Sequence, residues 1–467
     1  MSTIENLQST RNQEATMSSP NVIIVLADNI GYGDLGCYGS TLHRTPHLDR
    51  LAAEGMRLTS FYSCSGVCTP SRASLLTGCY PRRVNMDRAG EGQCVLMPVD
   101  RKGLNPSEPT IGKLLKGAGY ATACIGKWHL GDQPPFLPTR HGFDEYFGIP
   151  YSDDMTAKPS RPHWPPLPLM RGETVIEAPV DRDYLTKRYT EEAVRFITDN
   201  RSRPFFLFLP HAMPGSTDRP FSTPAFQGKS ANGPYGDCIE EMDWSMGEIM
   251  AALKRLELDE NTLVIWTSDN GAVGWNPPQG SNAPFSGWGY DTSEGAMRMP
   301  CLIRWSGQVP AGVVCDELSS MMDFLPTCAA LAGSELPEGH IIDGQNLWPF
   351  MTAATAAVSR YDETGFFYYT MEQLQAVRSG PWKLYLPLDN KFTGPGRKTV
   401  PSQAELYDVR NDLGEEHEVS AQHPEVVTRL LGLAENARED LGDMDREGRN
   451  QRPAGWIADP KPQLLSQ

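Results

Sequence analysis

The chain has 467 residues, 39% of them hydrophobic, with 58 acidic against 42 basic side chains and a net charge of −16. That length exceeds one small core and predicts a large α/β domain with additions. The acidity argues against nucleic acid as a partner and requires a local cluster of positive charge wherever an anionic substrate binds.

Residues 1–20 are polar and are expected to form an N-terminal arm rather than a secretory signal. The first apolar run, residues 22–27, is too short to span a bilayer, so a cytoplasmic chain with no membrane partner is expected. The ten cysteines lack zinc-ligand spacing, and a disulfide framework is not expected. Four apolar runs end abruptly in polar residues. NVIIVLADN ends at Asp28 and Asn29, ATACIGKWH at Lys127 and His129, PFFLFLPH at His211, and TLVIWTSDNG passes Asp269 and Asn270. Short β-branched or aromatic runs of this kind predict buried strands. Helical patterns at 46–54, 110–118, 184–200 and 237–256 lie among them. Strands alternating with helices predict a mostly parallel sheet covered on both faces, with ligands beyond the carboxyl ends of the strands. The chemistry-bearing residues fall at those ends, within a catalytic domain assigned to residues 21–350. Further on, GFFYYT, LQAVRSGPWKLYLP and AELYDV predict antiparallel strands, followed by a helix over 425–441. They define a smaller subdomain, residues 351–445, and residues 446–467 are expected to be a poorly packed tail.

Asp28-Asn29 and Asp269-Asn270 offer oxygen ligands alone, a set that suits Ca2+, with Mg2+ as the alternative, rather than zinc. Asp-Asn is common in turns, so the signal lies in having two such pairs, both at strand ends. Asp34, in GYGD, reads as a structural cap. Lys127 and His129 lie two residues apart and would point to one side of an extended segment.

The stretch CTPSRASLLTG at residues 68–78 resembles the signature of the formylglycine-dependent sulfatases, arylsulfatase-like members of the alkaline phosphatase superfamily. ADNIGYGDLGCYG, GYATACIGKWHLG, GIPYS, SDNG, EGAMRMP and LYDVRNDLGEEHEV are similar to further segments of that family, so the resemblance spans residues 20–445. It implies a large mixed central sheet sandwiched by helices, with a smaller C-terminal antiparallel sheet and helix. It implies hydrolysis of a sulfate monoester, aryl or carbohydrate. It also implies conversion of Cys68 to formylglycine by a formylglycine-generating enzyme as partner. The aldehyde would hydrate to a gem-diol: one hydroxyl attacks sulfur, the other ejects sulfate and restores the aldehyde. The resemblance assigns Asp28, Asn29, residue 68, Asp269 and Asn270 to the metal and Arg72 to steadying the nucleophile. It assigns Lys127 to sulfate oxygens, His129 to the formylglycine hydroxyls, and Ser152 to the substrate.

Three positions depart from the family pattern. Asn29 stands where the family carries a second aspartate. Gly289 stands where it carries a lysine, with Arg298 as a candidate replacement on the substrate. His211 is the candidate for the family's sulfate-side histidine, although one register puts Gly215 there instead. The loop at 273–288, rich in Trp, Pro and Asn, suits either sugar or aryl recognition or a rigid surface loop. Two other readings follow: a phosphonate monoester or phosphodiester hydrolase of the same superfamily, against which Asn270 argues, and a catalytically weakened protein that binds sulfated ligands.

Overall fold

The computed structural model describes residues 19–274, 279–353, 357–388, 403–444 and 446–465. The N-terminal arm, save residues 19 and 20, and part of the Trp- and Pro-rich loop lie outside them. The first strand, Asn21–Asp28, is wholly buried at the centre of the main sheet. It runs parallel to Phe205–Pro214 on one side and Thr262–Ser268 on the other, and Ala121–Ile125 and Glu145–Gly148 extend the parallel block.

Buried on both faces, the first strand is continuously apolar rather than alternating. Its residues still sort by parity. Val22, Ile24 and Leu26 belong to one core cluster, and Ile23, Val25 and Ala27 to the other. Helices Leu185–Asp199 and Gly233–Arg255 cover the second face, packing Phe196, Ile197, Met242 and Ile249 against it. The first face receives the helix Cys68–Thr77, all ten of whose residues are buried. That helix ends at Gly78, whose left-handed φ of 67° closes it with a bond from its N–H to the Ser74 carbonyl.

The sheet is mixed. Arg298–Arg304 runs antiparallel to Thr262–Ser268, with Met56–Tyr62 antiparallel beyond it. At the other edge Leu169–Arg171 and Thr174–Glu177 add an antiparallel hairpin. The C-terminal region forms a four-stranded antiparallel sheet of Phe366–Thr370, Gln373–Ser379, Trp382–Tyr385 and Glu405–Asp408. The helix Pro424–Asp440 packs on it through Leu430, Ala434 and Ala437. This sheet shares the first-face core, where Phe366 lies edge-on to Tyr368 at 5.1 Å and 5.3 Å from Tyr62.

The C-terminal tail differs from expectation. Gly455–Trp456 pairs with Lys102–Gly103, Arg452 donates to the Glu108 carboxylate at 2.9 Å, and the Lys461 N–H donates to Gln133 at 2.8 Å. These bonds strap the tail onto residues 102–133, whereas its polar, proline-containing composition predicts a loose arm. All ten cysteines are free thiols. Among the described residues no helix is long and apolar enough to cross a membrane.

Candidate active site

Where the central strands end, the chain turns sharply, and two turn residues adopt left-handed backbone: Asn29 at φ 65° and His129 at φ 61°. In open α/β sheets ligands bind just beyond such strand tips. The Asn29 N–H donates to Asp269 Oδ1 at 3.1 Å, tying the tip of the first strand to the tip of the fourth apolar run.

Arg72, one helical turn after Cys68, is wholly buried and organises the cluster. Its Nη2 donates to Asp28 Oδ2 at 2.6 Å and to Asp269 Oδ2 at 2.8 Å, and its Nε to Asp269 Oδ2 at 3.0 Å. Its Nη1 donates to the Lys127 carbonyl at 2.6 Å. Lys127 Nζ donates to the same Asp28 oxygen, and to Ser152 Oγ at 3.2 Å. The Cys68 thiol lies 4.0 Å from both Asp28 Oδ1 and Asn29 Oδ1. Asp28, Cys68 and Asp269 thus each present a ligand atom to one small volume. Asn270 joins them, its Nδ2 donating to Asn29 Oδ1 and its own buried Oδ1 lacking any hydrogen-bond partner. A buried carbonyl oxygen left unpaired is costly unless something occupies its lone pairs. With two carboxylates and the Asn29 amide oxygen gathered here, and the Asn270 oxygen left open, the donor set fits a hard cation.

Burial, and then the Asp269 and Asp28 carboxylates, push the Cys68 thiol well above its usual range. Burial and neighbouring Asp28 raise Asp269 despite Arg72 and Lys127. Burial pulls the Lys127 ammonium down, but Asp28 and its neighbours more than offset this and hold it charged. His129 is kept neutral by burial first, then by Lys127 and Arg72. Its Nε2 lies 3.0 Å from the Leu96 carbonyl, which can only accept. The ring proton therefore sits on Nε2, and the buried Nδ1, with no partner, carries a free lone pair.

Two expected site residues sit elsewhere. His211 is on the strand but faces the helix layer: its ring packs 6.4 Å from Tyr189, and Nε2 approaches Ser245 Oγ at 3.5 Å. Strand alternation sends it into the second-face helices, away from the cluster. Gly215 instead reaches the site, its N–H donating to the Asp28 carbonyl at 3.1 Å. Arg298 is spent on structure, donating to the carbonyls of Thr59 at 2.7 Å and Val409 at 3.1 Å and stacking over Phe285. Phe285, in the Trp- and Pro-rich loop, is buried and so serves packing. Asp34 behaves as a cap, accepting the Gly31 N–H and the Tyr235 hydroxyl.

Three residues were not read from the sequence. Ser216 accepts from Asn29 Nδ2 at 2.9 Å, and Tyr290, at φ 78°, places its hydroxyl 3.1 Å from Ser216 Oγ. Asp153, beside Ser152, is wholly buried with both carboxylate oxygens unpartnered, and burial followed by Asp154 pushes it up to about 8. GYD and YSDD carry no spacing signal that marks these residues in advance. Gly289 lies at the site edge: a Cβ there would meet the Gly271 carbonyl at 2.7 Å and Asn270 Nδ2 at 3.4 Å.

Residues 20–334 match the model of the family described as Sulfatase, and residues 362–459 match the C-terminal region of aryl-sulfatase. The steryl-sulfatase of Mus musculus is 35% identical over a 519-residue alignment covering 90% of this chain and 82% of that protein. The N-acetylgalactosamine-6-sulfatase of Sus scrofa is 40% identical over 379 residues, 78% of this chain and 71% of that protein. The crystal structure of the PsFucS1 sulfatase from Pseudoalteromonas sp. superposes with a TM-score of 0.78 at 28% identity, covering 90% of this chain and 89% of that one.

Proposed function

The chain belongs to the sulfatase family and is a sulfuric ester hydrolase, and from that premise we propose that it acts on a carbohydrate sulfate through formylglycine at position 68 and a bound Ca2+. The observation that carries the substrate class is the cleft beside the cluster. It measures about 980 Å³ and is walled by residues 216–222 together with Asp154, Lys158, Arg182, Asp183 and Asp237. Its lining mixes Asp154, Asp183, Asp218 and Asp237 with Lys158, Arg182 and Arg219, and Arg182 lies 4.0 Å over the Phe221 ring. Such a wall suits a ligand with many hydroxyls and one flat apolar face better than a sterol.

Asp28, Asn29, Asp269 and Asn270 would hold the cation, which supplies Lewis-acid polarisation of a sulfate oxygen and lowers the pKa of a bound hydroxyl. Arg72 and Lys127 already balance the two carboxylates, so the loaded pocket is net positive. This is the local positive site an acidic protein needs for an anionic substrate. Lys127 Nζ, shared between Asp28 and Ser152, is placed to turn one donor toward a sulfate oxygen. His129 Nδ1 offers the free lone pair for a proton released at residue 68. Residue 68 opens a buried helix, whose dipole favours negative charge at that end.

The test has two parts. The residue-68 peptide, from a host with the modifying enzyme, should weigh about 18 Da less than its cysteine form. Sulfate release from N-acetylgalactosamine 6-sulfate should exceed that from a steryl sulfate by tenfold or more in kcat/KM, about 1.4 kcal/mol. An unshifted mass with full activity would sink the formylglycine mechanism, and preference for the steryl ester would sink the carbohydrate reading.

A further inference from the structure

We propose that Ser216 and Tyr290 form a clamp that decides which end of the Asn29 amide faces residue 68. The inference rests on the cation reading above. An aspartate here would present an oxygen whichever way it turned. An amide has two ends of nearly equal shape, and only the oxygen end can ligate a cation. Something must break that symmetry, and the main chain does not: the left-handed backbone and the N–H bond to Asp269 fix the Cα, not the amide rotor.

The rotor is fixed by where its NH2 goes. Asn29 Nδ2 donates to Ser216 Oγ at 2.9 Å, which leaves Oδ1 facing Cys68 at 4.0 Å and accepting from Asn270 Nδ2. Ser216 Oγ is in turn bonded to the Tyr290 hydroxyl at 3.1 Å. Tyr290 is a bulky residue at φ 78°, a conformation that persists only when its surroundings impose it. They do so from both sides. Its N–H donates at 2.8 Å to the carbonyl of Gly66, two residues before Cys68, and the neighbouring Gly289 N–H donates at 2.9 Å to the Ala272 carbonyl, two residues after Asn270. The clamp is therefore anchored to the nucleophile loop and to the second Asp-Asn loop. Ser216 follows Gly215, whose N–H is held by Asp28. Ser216 and Tyr290 are positioning residues: they act on the cation through Asn29.

The experiment measures Ca2+ affinity, with Mg2+ in a parallel series, by competition against a chelating indicator, so no turnover is read. It uses the full chain and the Ser216→Ala, Tyr290→Phe, Asn29→Asp and Asn29→Asp/Ser216→Ala variants. Loss of an outer-shell partner costs about 10–100-fold in metal affinity. Ser216→Ala is expected to weaken Ca2+ binding by about tenfold or more and Tyr290→Phe, which removes a single oxygen, by a few-fold. With Asp at position 29 the orientation problem vanishes, and removing Ser216 should cost less than about twofold. Equal binding by the parent and Ser216→Ala overturns the clamp alone. So does an equal loss in both backgrounds, since Ser216 would then only pack its loop. If the parent binds neither ion, the cation reading falls and the clamp with it.

Discussion

Two buried ionic clusters flank the same sheet, and they differ in what they leave unpaired. One is the candidate active site, around Asp28, Cys68 and Asp269. The other centres on Glu294, at the junction with the C-terminal sheet. Glu294 accepts from Lys383 Nζ at 3.0 Å, Tyr368 at 3.1 Å, Arg298 at 3.4 Å and the Tyr62 hydroxyl. Lys383 also meets Glu415 at 3.0 Å and the Thr292 carbonyl at 2.9 Å. Both Glu294 oxygens are matched, and Lys383, Arg378 and Arg298 outweigh the burial cost to hold the carboxyl down at about 2. In the candidate site Asp269 is pushed up instead, and Asn270 Oδ1 and His129 Nδ1 have no hydrogen-bond partner. The two share residue types and burial. Complete satisfaction fits a structural joint, whereas the open acceptors of the other cluster gather beside a thiol and two carboxylates, as a ligand site requires.

The sharpest way to break this contrast is to remove one member of each cluster. Cys68→Ala should lower kcat/KM for a sulfate ester by at least about a thousandfold, while the melting temperature stays close to that of the parent. Glu294→Gln should do the reverse. Breaking a buried ion pair costs about 3–5 kcal/mol, read as a lower denaturation midpoint, while activity per folded molecule changes little. Its pH dependence adds a check. A carboxyl with a depressed folded pKa contributes stability that is present above the unfolded value and is lost as pH falls toward 2. The variant should therefore lose less stability than the parent on acidification below about pH 4.5. Comparable activity losses from both substitutions would show that the joint and the site are one unit.

Cation linkage separates the clusters further. If the open acceptors are the ligand site, Ca2+ at a hundredfold excess over Kd should stabilise the parent by about 2.7 kcal/mol and Glu294→Gln by the same amount. An Asp28→Asn/Asp269→Asn variant should show no such gain. Equal Ca2+ shifts in all three would place the ion elsewhere.

What could be read in advance follows the same divide. Strands that are apolar throughout and end in Asp-Asn or Lys-x-His were legible, because burial on both faces writes a continuous run and function writes an abrupt stop. The antiparallel strands Met56–Tyr62 and Arg298–Arg304 were not, because MRLTSFY and RMPCLIR mix charge with apolar residues and place Arg57 and Arg298 in polar contacts at the edge of the parallel block. The Glu294 joint draws on residues 62, 294, 298, 368, 378 and 383, and no local pattern announces that they meet. Ser216 and Tyr290 were hidden for the same reason. His211 was legible as a strand-end histidine, but its side depended on strand parity near the irregular pairing between Leu26 and Asp28.

His211 gives the finest division between site and scaffold. Burial lowers its pKa to about 4, with Nδ1 unpartnered among the second-face helices. A buried neutral histidine binds a proton more readily once unfolded, so the protein loses stability as pH falls below the unfolded value of about 6.5. The loss from this group ends near the folded value of about 4, a span worth at most about 3 kcal/mol. His211→Asn cannot take up that proton and should flatten the acid limb of a denaturation-midpoint profile over this window. Because the ring faces Tyr189 and Ser245 rather than Lys127 or residue 68, kcat at pH 7 should stay within about threefold of the parent, under 1 kcal/mol. A collapse of kcat with an unchanged acid limb would instead return His211 to the reacting centre and make its helix-facing pose the wrong one for catalysis.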